Sequence, residues 1–167
     1  MYGKRDIRVA VSKTNAMRIL DASKIPYQIH MYENKDGKID GVSVAAKIGK
    51  DIKMVYKTLV LKDSGNEIFV FVIPVEAELD LKKAAKVVQA KKVEMIPVKE
   101  IQKFTGYIRG GCSPIGMKKK YRTLIDQTAT KLEHIIVSGG KIGLQVELGV
   151  SDLLVVTEAK LADVIHQ

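Results

Sequence analysis

Hydrophobic and polar positions alternate most regularly in the middle of the chain. Two runs rich in β-branched and aromatic residues, 55–62 and 67–74, flank the polar turn Asp63-Ser64-Gly65-Asn66. Runs of this length bounded by turn residues predict a β-hairpin. Upstream, Met17, Ile19 and Leu20 recur at helical spacing within 14–22, and Pro26 marks the exit into a strand over 27–32. A polar loop follows over 34–41. Ser43 is then a candidate N-cap for a short helix over 44–48, which Gly49 terminates. Asp80 is placed to cap a helix running to about residue 90, and 98–104 suggests another short helix. The segments 135–137 and 144–148 read as a second strand pair, and the tail after Ser151 reads as helical. Helices and strands mixed in this way, with short connections, no repeat and no dividing linker, predict one α+β domain.

Indexing the first hairpin strand singles out Lys57. With a period of two it shares a face with Val55, Leu59 and Leu61, while Tyr56, Thr58 and Val60 occupy the other. Neither face is polar enough to be a plain solvent face. A lysine there either carries its ammonium out to water along its own stem or meets an anionic or carbonyl group in a pocket.

Composition narrows the setting. The 167 residues are 46% hydrophobic and 28% charged, which suits a globular domain with a single core. No apolar run approaches the ~18–20 residues that span a bilayer, so no membrane association is expected. The start, Met1-Tyr2-Gly3-Lys4-Arg5-Asp6, lacks a secretory apolar segment, and a single cysteine excludes an internal disulfide framework. A cytoplasmic location follows as the expectation. Lysine and arginine exceed acidic residues by a formal charge of +9, which favours a polyanionic partner, with nucleic acid foremost. The cations gather at Lys82, Lys83, Lys86, Lys91 and Lys92, and again at Lys118, Lys119, Lys120 and Arg122.

The second basic cluster directly follows Gly110-Gly111-Cys112-Ser113-Pro114-Ile115-Gly116, a segment whose glycines and proline describe a shaped loop with exposed amides. About thirty residues later Val137-Ser138-Gly139-Gly140-Lys141-Ile142-Gly143 repeats the theme, so the two loops could face one ligand. Other chemistry is scarce. His30, His134 and His166 are isolated, no metal-ligand spacing exists, and phosphate-loop, dinucleotide and nucleophile-elbow motifs are missing from the sequence. No metal and no cofactor are expected. Cys112 lies inside the glycine loop, but a lone cysteine without a histidine nearby in sequence reads more simply as a small packing residue.

Val55-Tyr56-Lys57-Thr58-Leu59, Leu79-Asp80-Leu81-Lys82-Lys83, Lys91-Lys92-Val93-Glu94-Met95, Thr105-Gly106-Tyr107 and the two glycine loops occur in an order that closely resembles the YbaK/EbsC family. The resemblance runs from about Lys13 to the C-terminus, leaving 1–12 as a basic tail ahead of a domain over 13–167. It implies a trans-acting aminoacyl-tRNA deacylase, similar in fold to the editing insertion domain of prolyl-tRNA synthetase: a mixed sheet curled into a barrel-like core with helices around it. The implied substrate is cysteine mischarged onto proline tRNA, with prolyl-tRNA synthetase as a partner. Lys57 matches the lysine needed for activity, and Gly110 and Pro114 match the loop whose backbone lies against the ester and terminal adenosine. Tyr32, Gly41, Thr58, Gly111, Ser113, Ser138, Gly139, Gly140 and Gln145 fall at substrate-binding positions. Lys118, Lys119, Lys120 and Arg122 would meet the tRNA backbone. Two positions depart from the pattern: Asp40 stands where an aromatic residue precedes the glycine, and Gln145 stands where an aspartate is expected. Family members are thought to let the substrate's own thiol displace the tRNA, which would make Cys112 dispensable. Deacylation of another small amino acid, and a non-catalytic module that binds tRNA or a synthetase, are the alternatives.

Overall fold

A computed structural model describes residues 12–167, so nearly all of the basic tail lies outside the described residues. Among the described residues, five α-helices and eight strands follow one another: α1 (Asn15–Ala22), β1 (Gln28–Met31), α2 (Gly41–Ile48), β2 (Tyr56–Asp63), β3 (Ile68–Pro74), α3 (Leu81–Val87), β4 (Val93–Met95), α4 (Ile101–Thr105), β5 (Arg122–Asp126), β6 (His134–Lys141), β7 (Leu144–Gly149), α5 (Val150–Thr157) and β8 (Lys160–Ala162). The strands form two sheets, ordered β1-β7-β6 and β4-β2-β3-β5-β8. Residues 56–63 and 68–74 pair antiparallel around the anticipated turn, whereas β3–β5 and β5–β8 are parallel.

The α+β class holds, but the barrel-like closure does not. Instead of one curled sheet there are two open ones, joined by a lone parallel bridge between Val55 and Ile136. Their facing sides share the main core, in which Tyr56, Val70, Val72 and Ile125 pack with Ile135, Val137, Leu144 and Val146, closed by Met17 and Leu20 of α1. The opposite face of the larger sheet packs Leu61, Phe69, Phe71 and Ile73 against Ala84 and Ala85 of α3. Strand β3 is thus buried on both faces, which explains its continuous apolar run, and each such side chain contributes about 1.5–3 kcal/mol.

Helix boundaries follow local chemistry. Thr14 caps α1 by accepting from the Met17 amide at 3.2 Å. The cap of α2 is Asp40 rather than Ser43: its carboxylate accepts from the Ser43 amide at 3.0 Å, so the helix begins at Gly41, and Gly49 closes it at φ 68°. An aspartate takes this position because its charge complements the helix N-terminus as well as satisfying the amide. Helix α3 stops at Val87, short of residue 90, and the chain after Thr157 leaves α5 to pair as β8, so the C-terminal tail is only partly helical.

Candidate functional site

The Val55–Ile136 bridge sets the start of β2 beside β6, and across β6 Ser138 pairs with Gln145 of β7. These three strands, the N-terminus of α2 and the first glycine loop enclose a cleft of about 110 Å³. Lys57, Thr58, Gly110, Cys112, Ser138 and Gln145 line it together with Gly41, and Ile39, Val44, Val55, Tyr56 and Val75 complete its walls. Six positions named from the sequence as substrate or catalytic positions, Gly41, Lys57, Thr58, Gly110, Ser138 and Gln145, therefore converge from widely separated segments.

Close approach makes two glycines necessary. A Cβ on Gly41 would lie 2.2 Å from Val75 Cγ1, so no side chain fits where α2 meets the end of β3. Gly110 adopts φ 83°, the left-handed region that side chains disfavour, and a Cβ there would sit 2.6 Å from Ile39 Cδ1. The two glycine loops also touch: a Cβ on Gly111 would lie 2.8 Å from the Ile142 nitrogen and 2.9 Å from the Lys141 carbonyl carbon.

The cleft is rich in unspent hydrogen-bonding capacity. The ammonium of Lys57, a half-buried residue, forms no hydrogen bond or ion pair among the described residues, and the Gln145 carboxamide forms none either. Thr58 Oγ1 is buried without a partner. A buried hydroxyl left unpaired costs ~1–3 kcal/mol, which a bound polar group would offset. The amides of Gly110 and Cys112 likewise donate to nothing among the described residues.

Protein nucleophiles and bases are poorly represented. Burial pushes the Cys112 thiol up to about 11, against the opposing effect of its contact with Thr105 Oγ1 at 3.9 Å, so it stays protonated at neutral pH. Tyr56 is engaged elsewhere, donating to Thr128 Oγ1 at 2.7 Å, while that hydroxyl donates to the buried Asp126. No histidine or carboxylate side chain is among the residues that line the cleft.

Other candidates lie outside the cleft lining. Tyr32 is buried, its ring 5.9 Å from the Lys47 ammonium and its hydroxyl unpartnered. Ser113 is fully buried and its Oγ accepts from the Ile115 amide, a turn-shaping role. Pro114 lines a separate groove beside α5. Gly139 packs against Leu144, and Gly140, at φ 100°, packs against Tyr107. Of the basic run, Lys120 pairs with Glu158 at 2.7 Å, Arg122 donates to the Val87 and Val88 carbonyls, and Lys118 donates to the Lys103 carbonyl. Lys119 is exposed and unpartnered among the described residues. The apolar walls Ile39, Val44 and Val75 were not anticipated. Ile39 stands alone in a polar loop and Val75 follows the end of a strand, so neither carries a periodic signal.

Residues 40–156 match the aminoacyl-tRNA editing domain family. The Enterococcus faecalis protein EbsC, whose proposed activity is deacylation of Cys-tRNA(Pro) and Cys-tRNA(Cys), is 43% identical over 152 residues, covering 91% of this chain and 93% of its own. Two solved structures share the fold at lower identity. The hypothetical protein APE2540 has a TM-score of 0.83 at 20% identity, covering 92% of this chain and 100% of its own. A protein proposed to be a trans-editing enzyme for prolyl tRNA synthetase has a TM-score of 0.80 at 19% identity, covering 94% and 100%.

Proposed function

Because the chain belongs to the aminoacyl-tRNA editing domain family, we propose that its cleft releases cysteine from mischarged Cys-tRNA(Pro). The observation that carries this reading is the convergence of Lys57, Thr58, Gly110, Ser138 and Gln145 on one small cleft that provides hydrogen-bonding groups but no acid–base pair. At about 110 Å³ the cleft is well below the ~300–1,000 Å³ of ordinary ligand pockets, which suits the acyl group of one small amino acid.

With Cys112 protonated, the substrate is the better source of a nucleophile. In this mechanism the cysteinyl sulfur attacks its own ester carbonyl. A C–S bond forms, the C–O bond to the terminal ribose breaks, and the thiol proton passes to the departing ribose oxygen. The product is a cyclic thioester that water then opens. Lys57 and the amides of the Gly110 loop stabilise the charge that develops on the ester, and Thr58, Ser138 and Gln145 hold the acyl group in a reactive geometry.

Size discriminates poorly between cysteine and proline, since one methylene-sized difference is worth only ~1–3 kcal/mol. Requiring a thiol spares prolyl-tRNA by chemistry. Correct cysteinyl-tRNA needs protection by another route, for which a complex with prolyl-tRNA synthetase in the cytoplasm is the natural source. Lys119 is available for a nonspecific phosphate contact. The test is a deacylation panel with purified protein on cysteinyl-, alanyl- and prolyl-tRNA. Preferential release of cysteine supports the assignment. Equal or faster release of alanine moves it to a different small amino acid, for which the neutral Gln145 is the residue to examine, and binding without cleavage of any ester leaves a non-catalytic module.

A further inference from the structure

The second glycine loop does more than support the cleft, because Gly140, Lys141 and Ile142 form one end of a second, larger groove. This groove, of about 590 Å³, lies between the start of α1, the segment 106–108 and the turn after β6, and is lined by Arg18, Tyr107, Ile108, Gly140, Lys141 and Ile142 among others. It shares a wall with the cleft: Gly110, which lines the cleft, would place a Cβ 3.4 Å from Cγ1 of Ile142, which lines the groove. The two are also tied by hydrogen bonds. Ser138 Oγ in the cleft accepts from the Gly140 amide at 3.2 Å, and Thr14 at the mouth of the groove donates to the Gly139 carbonyl at 2.6 Å.

Charge in the groove has one sign. Among the described residues no aspartate or glutamate lines it. Arg18 and Lys141 are exposed and without a partner there, while Lys13 is paired with Asp21. Arg109, exposed and equally unpartnered, stands in the chain between Ile108 of the groove and Gly110 of the cleft. The stem of Lys118 lies against Gly106, 3.3 Å from where a Cβ would sit, which brings that member of the basic run to this side. By contrast, the groove lined by Lys119 and Lys120 includes Asp152, and Lys120 is already neutralised by Glu158.

We propose that this groove is the binding site for the single-stranded 3′ end of the RNA, with Arg18, Arg109 and Lys141 contacting its phosphates as the terminal ester enters the cleft past Gly110. The proposal rests on the deacylase reading for its substrate, and names a phosphate track that Lys119, Lys120 and Arg122 of the basic run do not supply. Each cation is positioned for backbone contact, so affinity should be insensitive to base sequence and strongly dependent on salt.

The experiment compares wild type, the R18A/K141A double variant and Lys119→Ala on two substrates, cysteinyl-tRNA and a cysteinyl ester of adenosine that carries no phosphate. For R18A/K141A, kcat/KM on tRNA should fall roughly two- to fivefold per cation removed. The salt slope of tRNA binding should flatten by about 0.7 per cation, and the ratio of tRNA to adenosine-ester activity should drop accordingly. Equal losses on both substrates, or a larger change in salt slope from Lys119→Ala than from the double variant, would overturn the proposal. If no protein cleaves either ester, the deacylase reading fails by itself. The groove is then judged by fluorescence anisotropy with an uncharged RNA hairpin bearing a single-stranded 3′ tail: binding weakened in R18A/K141A upholds it, and unaltered binding rejects it.

Discussion

Replacing Gly111 by alanine would set a methyl carbon 2.8 Å from the Ile142 nitrogen, 2.9 Å from the Lys141 carbonyl carbon and 3.0 Å from Lys141 Cα. All three are backbone atoms, so no side-chain rotation relieves the contact, and the loops must part by roughly 0.5–1 Å to reach an ordinary separation of ~3.5–4.0 Å. Overpacking of this kind costs ~1–3 kcal/mol. For a chain of this size each kilocalorie lowers Tm by ~2–4 °C, so a fall of about 2–12 °C is predicted. The same displacement shifts Gly110 relative to Lys57, and a misplacement approaching 1 Å at a reacting centre costs up to ~10²-fold in rate. Gly65→Ala is the control: in the hairpin turn its nearest neighbour, Asp63 Oδ1, is 3.5 Å away, so stability should stay within ~0.5 kcal/mol. Thermal unfolding followed by circular dichroism, with single-turnover deacylation of cysteinyl-tRNA, reads both quantities. Wild-type Tm and wild-type rate in Gly111→Ala would refute the contact between the loops and the dependence of the site upon it.

Lys57→Ala should reduce single-turnover deacylation by about 10²-fold or more while leaving Tm nearly unaltered, as expected for loss of one charge-stabilising donor; Cys112→Ala should retain activity within a few-fold, and the opposite pattern would reassign the chemistry to the thiol. Asp40→Ala removes the α2 cap and should cost ~1 kcal/mol in urea unfolding, with a lowered rate because Gly41 and Val44 of α2 line the cleft; an unaltered urea midpoint would show that the cap contributes nothing. Burial raises the Glu147 carboxyl, but hydrogen bonds from His30 at 2.8 Å and Lys50 at 3.3 Å outweigh it and hold the group below its ordinary 4.5. Its stabilisation is therefore present above that value and is lost as pH falls through the lowered folded one. Glu147→Gln should cost ~1–3 kcal/mol at pH 7 and progressively less below pH 4.5, measured by urea unfolding across that range; a pH-independent difference would contradict the linkage.

Much of the site was legible because its key residues break a local rule. Lys57 interrupts an apolar strand, and the glycine loops place flexible residues where ordinary turns need fewer. That the two loops could face one ligand was readable from their shared composition, but the contact that sets Lys57 beside Ser138 was not, since it depends on the Val55–Ile136 bridge between sheets, which carries no periodicity. The hairpin β2–β3 was readable from alternation and turn chemistry, whereas β5 was hidden: its apolar stretch is short and follows directly on the basic cluster of Lys118, Lys119, Lys120 and Arg122. Parallel pairing with β3 stabilises it from outside its own sequence. Asp40 illustrates the reverse case. It departs from the aromatic residue of the family pattern, and the structure gives it a local task as the cap that positions α2.

Wild-type protein mixed in excess with cysteinyl-tRNA or with the same tRNA carrying serine, followed through a single turnover, most directly asks whether the substrate supplies its own nucleophile. The two acyl groups differ by one atom, sulfur in one and oxygen in the other. Release of serine slower by about 10²-fold or more is predicted, because a hydroxyl attacks far less readily than a thiol when no base assists it. Equal rates for the two would contradict it and require water or a protein group as the attacking species.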